Sequence, residues 1–424
     1  MAAGRRRDAG DQGMKRGYLS EYFEGVAAKR LSAVEADETR SNQHEYNATK
    51  AMLGFMGRPP EKTKLPARFV YMSDEDEEPL FEDAFLTLYD SRERHPTRSE
   101  YRFYFPTTQV SQLASENDLL VLAKRRDGGM LVIVAEDGSS AANQIEWLFG
   151  LSGDTLPGFS VRAELENEQD RIGFTTTFIL ESIGVVVEPP EETWLDVMLS
   201  RFGGTFPKTL EFSGFARGTL PHVDPREDPD AALMAWMERE EILFRTLERY
   251  LIGERLSQGF GGAREVDIDG FMSFSLSVQN RRKSRVGLAF ENHLSHLFDS
   301  LGIHHSRAAV TERRSKPDFL FPGATEYHDP AFDPLRLTML GVKSTCKDRW
   351  RQILPEADRI SPKHLLTLEA GISGNQTDEM QSQGVQLVLP RALHETYSIP
   401  QRDWLQDVRG FTDLVVARQQ ADGK

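Results

Sequence analysis

The chain has 424 residues, 39% hydrophobic and 28% charged, with 33 Gly and 21 Pro; a single small fold and a wholly disordered or collagen-like chain are excluded, and two or three domains are expected. The formal charge of -15 argues against coating nucleic acid through bulk charge and leaves a local basic cleft as the route to such a partner. The one cysteine, Cys346, excludes an intrachain disulfide and a cysteine-based zinc site and fits a reducing, cytoplasmic setting, and no apolar run approaches the roughly 20 residues that span a bilayer.

In chain order, residues 1–15 carry Arg5, Arg6 and Arg7 with no apolar segment after them, which reads as a disordered tail and not a secretory signal. Residues 16–185 hold short β-type runs: Phe85–Tyr89, Tyr101–Phe105, Leu119–Ala123 and Met130–Ala135, the last two joined by Asp127-Gly128-Gly129, a hairpin turn. A mainly β domain is expected there. The pattern breaks at Pro189-Pro190, and residues 161–250 carry 18 acidic against 9 basic residues, more than half of the net charge. Asp228-Pro229-Asp230 reads as a helix entry for the helical spacing of Ala231–Leu251.

From residue 186 onward a second, α/β domain is expected. Asn280 to Arg285, with Arg281, Arg282, Lys283 and Arg285, precedes a helical pattern with Phe290, Leu294, Leu297, Phe298 and Leu301 on one face. Strands are expected at Asp318–Phe321, Leu337–Ser344, Leu365–Leu368 and Val385–Leu389, with a helical segment after Ser344. Such alternation indicates a central mixed sheet.

Pro317-Asp318-Phe319-Leu320-Phe321 is followed by Val342-Lys343-Ser344 on the next strand and then by Glu356. Two carboxylates and a lysine at adjacent strand ends suit metal-dependent phosphodiester hydrolysis: the carboxylates hold Mg²⁺, and the lysine orients or deprotonates the attacking water. By spacing alone a bland surface reading competes. Lys347-Asp348-Arg349 follows the strand lysine; Arg reads guanine O6 and N7 and a carboxylate accepts from cytosine N4, so the tripeptide suits adjacent G·C pairs. A solvated charged turn is the alternative. In the first half, Arg92, Arg94, His95, Arg98 and Arg102 interleave with Tyr101 and Tyr104, as a DNA-binding patch or a solvated hairpin face. His293, His296, His304 and His305 read as packing or surface histidines, and Gly259-Phe260-Gly261-Gly262 lacks the Gly-Lys-Ser/Thr sequel of a phosphate loop.

The runs Asn280–Arg285, Lys316–Pro322, Tyr327–Asp329 and Cys346–Leu354 closely resemble, in order, the C-terminal catalytic domain of the EcoRII-type restriction endonucleases, over about Trp194 to Pro390. The resemblance implies a variant PD-(D/E)XK nuclease fold in which the acidic residue two positions before the lysine is absent and a glutamate on the following helix replaces it. Here Gly341 holds the usual acidic position and Glu356 the substitute. By resemblance, Asp318 and Glu356 hold Mg²⁺, Lys343 is the catalytic lysine, Glu291 is a further acidic residue near the metal, and Lys347, Asp348 and Arg349 recognise CC/GG ends, as in CCWGG. Pro355 stands immediately before Glu356 and implies a kink in that helix.

Tyr22-Phe23, Lys29-Arg30-Leu31-Ser32, Gln43-His44 and Tyr89-Asp90-Ser91-Arg92 echo that family's β-barrel-like (pseudobarrel) effector domain, implying that residues 16–185 bind a second DNA site and restrain a catalytic domain of residues 186–424. The whole implies a double-stranded DNA endonuclease acting as a homodimer beside a companion DNA methyltransferase. A DNA-binding regulator with an inactive nuclease fold, a nuclease responding to methylated DNA and a structural interaction module are the rival readings.

Overall fold

The computed structural model of the chain describes residues 17–421 except the short segments 37–43, 77, 96, 152–157, 188–193 and 263–264. The expected tail, the Pro189-Pro190 break and Gln43 of the effector-like match lie outside the described residues. The chain divides into two compact units, Met1–Ile172 with Ile179–Val185, and Gly173–Phe178 with Val186–Lys424.

The first unit is mainly β. Its strands are β1 (Phe23–Arg30), β2 (Glu45–Asn47), β3 (Thr63–Met72), β4 (Leu80–Asp90), β5 (Tyr101–Tyr104), β6 (Leu119–Arg125), β7 (Met130–Ala135) and β8 (Ser160–Arg162). They form one sheet in the order β2-β5-β4-β3-β7-β6-β1-β8. Neighbours run antiparallel except β3 and β7, which are parallel. The β6–β7 turn forms as its residues dictate: Asp127 Oδ1 accepts from Gly129 N at 3.0 Å, and Gly128 takes φ 85°, which a side chain would oppose. Leu120 and Leu122 of β6 and Val132 and Val134 of β7 pack with Phe69, Leu86, Leu88 and Phe103. That alternation is the period of two that makes a strand face a core.

In the second unit, helices α1 (Leu195–Phe202), α2 (Thr209–Gly218), α3 (Pro229–Gln258) and α4 (Ile268–Ser300) precede a five-stranded sheet, with the small hairpin β9 (Gly261–Gly262) and β10 (Glu265–Val266) between α3 and α4. The sheet runs β11 (Ser306–Arg307), β12 (Phe319–Phe321), β13 (Thr338–Lys343), β14 (Lys363–Thr367), β15 (Val385–Val388). β11, β12 and β13 are antiparallel, and β13, β14 and β15 parallel. This is the mixed α/β sheet that the sequence implies. Both faces are covered: Phe319, Phe321, Leu340, Val342 and Leu366 pack with Trp236, Phe290, Phe298 and Phe411, and Leu320, Met339, Leu365 and Leu387 pack with Trp350, Ile353 and Met380.

The start of α3 obeys its sequence: Asp228 caps it, accepting from Asp230 N and Ala231 N at 3.1 Å each, with Pro229 in the first turn. α4 does not. The basic run was expected before the helix, and it lies inside it, because Asp267 caps the helix much earlier by accepting from Gly270 N at 2.8 Å. Basic residues in mid-helix are tolerated because α3 answers them: Arg285 is buried against Glu240 and Glu241, and Arg282 reaches Glu248 at 2.6 Å. The acidic surplus of the middle segment is thus partly spent inside the fold, where removing one member would leave an unpaired buried charge.

His293 joins this layer on α4. It is fully buried, with Nδ1 2.9 Å from Arg217 Nη1 and Nε2 2.9 Å from Glu240 Oε2. Since Arg217 can only donate, Nδ1 accepts and the ring is neutral. Burial holds the pKa of His293 below its usual 6.5, with the charges of Arg217 and Arg285 acting in the same direction and Glu240 opposing. Burial likewise lowers His296 and takes His364 to about 4. A base whose folded pKa is depressed leaves the unfolded chain holding more protons below pH 6.5, so stability is present above that pH and lost as the pH falls. Urea unfolding at pH 7.0 and 5.5 should show that loss, with a limiting slope of about 1.4 kcal/mol per pH unit for each histidine, and His293→Gln should flatten it.

Candidate active site

Asp318 stands immediately before β12, and Lys343 ends β13, the strand paired with it. Alternation puts Lys343 on the same face as Gly341 and Met339. Asp318 Oδ2 accepts from Val342 N at 2.6 Å and from Lys343 Nζ at 3.2 Å, so the backbone of the lysine strand itself fixes the carboxylate. Both side chains are largely but not fully covered, 15% exposed for Lys343 and 21% for Asp318, which leaves them reachable from solvent.

Glu356 arrives differently from the expectation. The segment after β13 is a 3₁₀ helix, Lys347–Ile353, and not the carrier of Glu356, which occupies the bend beyond it. Pro355 contributes to this: Leu354 still holds helical backbone, φ −58° and ψ −43°, but Pro355 has no N–H with which to continue the helical bonds. The bend is instead bound by neighbours. Lys363 Nζ donates to the carbonyls of Glu356, Ala357 and Ile360, Arg313 Nη1 reaches Pro355 O at 3.3 Å and Asp358 Oδ1 at 3.1 Å, and Glu312 Oε2 accepts from Asp358 N at 3.2 Å. Lys363 and Glu312 were missed in the sequence because their partners are mainly backbone atoms, which leave no residue signature.

Burial pushes the Glu356 carboxyl up to about 7, and the charge of Asp318 pushes in the same direction, against Lys343 and Lys363. Asp318, Lys343 and Glu356 therefore lie within one electrostatic cluster. Among the described residues no three His, Cys, Asp or Glu side chains converge as a ready ligand set. Two crowded carboxylates are nevertheless what Mg²⁺ usually takes from a protein, the rest of its shell being water. Asp318 and Glu356 are both oxygen donors, the chemistry a hard cation takes.

Gly341, the vacant acidic position, has a physical cause. A Cβ there would stand 2.6 Å from Ile353 Cγ2 and 3.6 Å from Leu365 Cδ1, and Ile353 is fully buried with Trp350 as the anchor of the 3₁₀ segment. No side chain fits.

The other expected residues are distributed as follows. Lys347, Asp348 and Arg349 open the 3₁₀ helix directly beyond Lys343, with Arg349 exposed and Lys347 at φ 33°. Glu291 of α4 pairs with Arg307 at 2.8 Å, and Arg307 lies opposite Phe319 in the β11–β12 ladder. Arg285 and Arg282 are held by α3 as described; Arg285 in particular is enclosed and not presented to a ligand. Arg281 lies over the Phe206 ring at 4.0 Å, and Lys283 is exposed on α4. In the first unit, Arg102 pairs with Glu45 and Glu100, each at 2.8 Å, and Arg92 with Glu100 at 2.6 Å. Arg94 and Arg98 are exposed, and Lys62, Tyr89, Arg92, Arg94 and His95 line an open concavity there. Cys346 is fully buried, and burial raises its thiol pKa well above the usual value, as suits a packing residue.

The family described as EcoRII C terminal matches residues 244–412. The type II restriction enzyme EcoRII of Escherichia coli is 45% identical over 207 residues, 49% of this chain and 50% of that protein; the chain thus spans about half the length of the curated relative it matches. Two solved structures also align. Metal-depleted Ecl18kI in complex with uncleaved DNA is 16% identical over 56% of this chain and 88% of that one, with a TM-score of 0.44. The restriction endonuclease PspGI–substrate DNA complex is 18% identical over 55% and 97%, with a TM-score of 0.40.

The Gly341–Ile353 contact makes a direct prediction. Gly341→Ala should destabilise the second unit by about 1–3 kcal/mol, the cost of overpacking, while Gly341→Ala with Ile353→Val or Ala should recover part of it. Denaturant unfolding of the single and double variants checks this, and a neutral Gly341→Ala would contradict the packing.

Proposed function

We propose that the chain is a type II site-specific deoxyribonuclease that hydrolyses phosphodiester bonds of double-stranded DNA at a short palindromic site with CC/GG ends. The observation that carries this reading is the Asp318–Lys343 pair, 3.2 Å apart across β12 and β13, with Glu356 coupled to both by charge. The EcoRII-type family match and the 45% identity to a named restriction enzyme support it.

Asp318 and Glu356 would hold Mg²⁺. When bound, the cation supplies Lewis acidity toward a phosphoryl oxygen and favours the ionised form of a coordinated water. Lys343, held by Asp318, orients the attacking water and offsets charge developing on the non-bridging oxygens. Water adds at phosphorus as the bond to the sugar oxygen breaks. The partial burial of Asp318, Lys343 and Glu356 lowers the local dielectric and strengthens each of these interactions.

Lys347, Asp348 and Arg349 follow the catalytic strand by a few residues, so the edges of G·C pairs and the scissile phosphate fall within reach of one continuous segment. A two-fold symmetric site is met by a homodimer. Self-cleavage in the host is prevented by a companion methyltransferase, and the setting is cytoplasmic. The first unit serves as the effector, with Arg92, Arg94 and Arg98 on a second DNA copy; Arg102, already doubly paired, lies on β5 at the end of the connection that carries them.

Plasmid cleavage with Mg²⁺, followed by sequencing of the ends, tests the reading. Lys343→Ala should lower cleavage by at least about 100-fold, the lower bound for loss of an acid–base group, with specific duplex binding retained. Retained cleavage would remove Lys343 from the mechanism.

The effector role has its own test. An inhibitory unit must favour a closed state, and a second DNA copy releases it by binding the open state more tightly. Ile179–Val185 belongs to the first unit, so the fragment freed of the effector should begin at Val186, giving up the packing of Phe174 on the second unit's core. It should cut one-site plasmids faster than the full chain. Equal initial rates for the fragment and the full chain on one-site and two-site plasmids would exclude autoinhibition.

A further inference from the structure

Glu369 lies two residues beyond β14, in a position that neither the sequence motifs nor the metal site accounts for. β14 runs parallel to β13 with Thr367 opposite Lys343, so the chain leaves both strands side by side at the catalytic end of the sheet. There the Glu369 carboxylate turns to the neighbouring segment: Oε2 accepts from Cys346 N and from Lys347 N, the latter at 3.3 Å. These amides open the 3₁₀ helix Lys347–Ile353 and are the kind of donor that a helix start leaves without an intrahelical partner.

Glu369 is itself fixed. Its carbonyl accepts from the Tyr397 hydroxyl at 2.7 Å, and Tyr397 is buried; its amide donates to Thr367 Oγ1 at 3.2 Å. The far end of the segment is fixed by Trp350 and Ile353, both fully buried. Between these anchors Lys347 takes φ 33° and Arg349 N donates to Cys346 O at 2.7 Å, a tight turn that leaves Arg349 exposed. The left-handed backbone at a residue with a Cβ costs free energy, and the two hydrogen bonds to one carboxylate oppose that cost at the residue where it arises.

We infer that Glu369 is the positioning residue for base recognition: it clamps the Cys346–Lys347 turn so that Lys347, Asp348 and Arg349 meet the base edges in fixed register with Lys343. This rests on the nuclease reading above. Without the clamp the segment remains attached at Trp350 and Ile353, but its first turn relaxes, and readers that depend on bidentate geometry lose alignment before contacts to phosphate do.

The test uses the full chain and the variants Glu369→Ala, Glu369→Gln and Glu369→Asp. Two readouts are taken: cleavage of the target duplex against duplexes with one outer G·C pair changed, and hydrogen exchange of the peptide spanning residues 344–350. Glu369→Ala should lower the target-to-changed ratio about tenfold, the scale of one bidentate base contact, and speed exchange of that peptide. Glu369→Gln, which keeps an accepting oxygen, should restore most of the ratio. An unchanged ratio with both substrates slowed alike makes Glu369 merely structural and overturns the inference, as does unchanged exchange. If Glu369→Ala does not fold, Glu369→Asp carries the same comparison, its shorter carboxylate expected to lose discrimination in part and a parental ratio counting against the clamp. If the parent chain cuts no duplex, the nuclease reading fails, and the exchange experiment still decides whether Glu369 holds the segment.

Discussion

The absence of a side chain at Gly341 is the constraint from which the catalytic end of the second unit is built. Ile353 fills the space over that glycine, and in doing so it pins the 3₁₀ segment flat against the sheet. The cost is chemical: the strand position from which a carboxylate would project beside Lys343 is closed. The first bend after the pinned segment carries Glu356, whose carboxyl feels the charges of Asp318 and Lys343. Packing and ligand placement are one arrangement, since the residue that closes the strand position also delivers the chain to where Glu356 begins.

A carboxylate on a bend lacks the rigidity that a strand gives Asp318. The surroundings provide it. Asp318 is held by the amide of Val342, a bond within the sheet, whereas the bend of Glu356 is tied by Lys363, Arg313 and Glu312. These are charged groups bound to backbone, and charge-assisted bonds are the stronger kind. Lys363 serves twice, because its ammonium also opposes the rise of the Glu356 pKa, and burial lowers its own pKa. The site thus balances enclosure, which sharpens its electrostatics, against the desolvation that enclosure imposes on each charge.

How much of this was legible in the sequence follows from which interactions leave a pattern. Strands β6 and β7, the Asp127-Gly128-Gly129 turn and the start of α3 were readable because period, turn chemistry and caps are local. Asp318, Lys343 and Glu356 were readable from their spacing as two carboxylates and a lysine, and the resemblance implied a role for each. The beginning of α4 was misread because the strongly basic run drew attention away from Asp267, a cap signal of the ordinary kind. The fate of that run was not readable at all: Arg285 looks like a DNA ligand until Glu240 and Glu241 are brought against it from a helix more than forty residues away. Non-local charge pairing has no spacing rule, and neither does a lysine whose partners are carbonyl oxygens.

The same distinction explains the two basic clusters. A cation can be spent on the fold or offered to a partner, and the choice is made by carboxylates that approach from elsewhere in the chain. On α4 the acidic face of α3 takes Arg282 and Arg285, so their charges hold two long helices in register. In the first unit Glu45 and Glu100 take Arg102, and Glu100 also takes Arg92, while Arg94 and Arg98 stay exposed on the same connection. An overall charge of -15 is therefore compatible with a DNA-facing surface: a carboxylate bound to an internal arginine contributes little field beyond a Debye length of about 8 Å at physiological salt, and the potential a duplex meets is set by the few cations left unclaimed around each site.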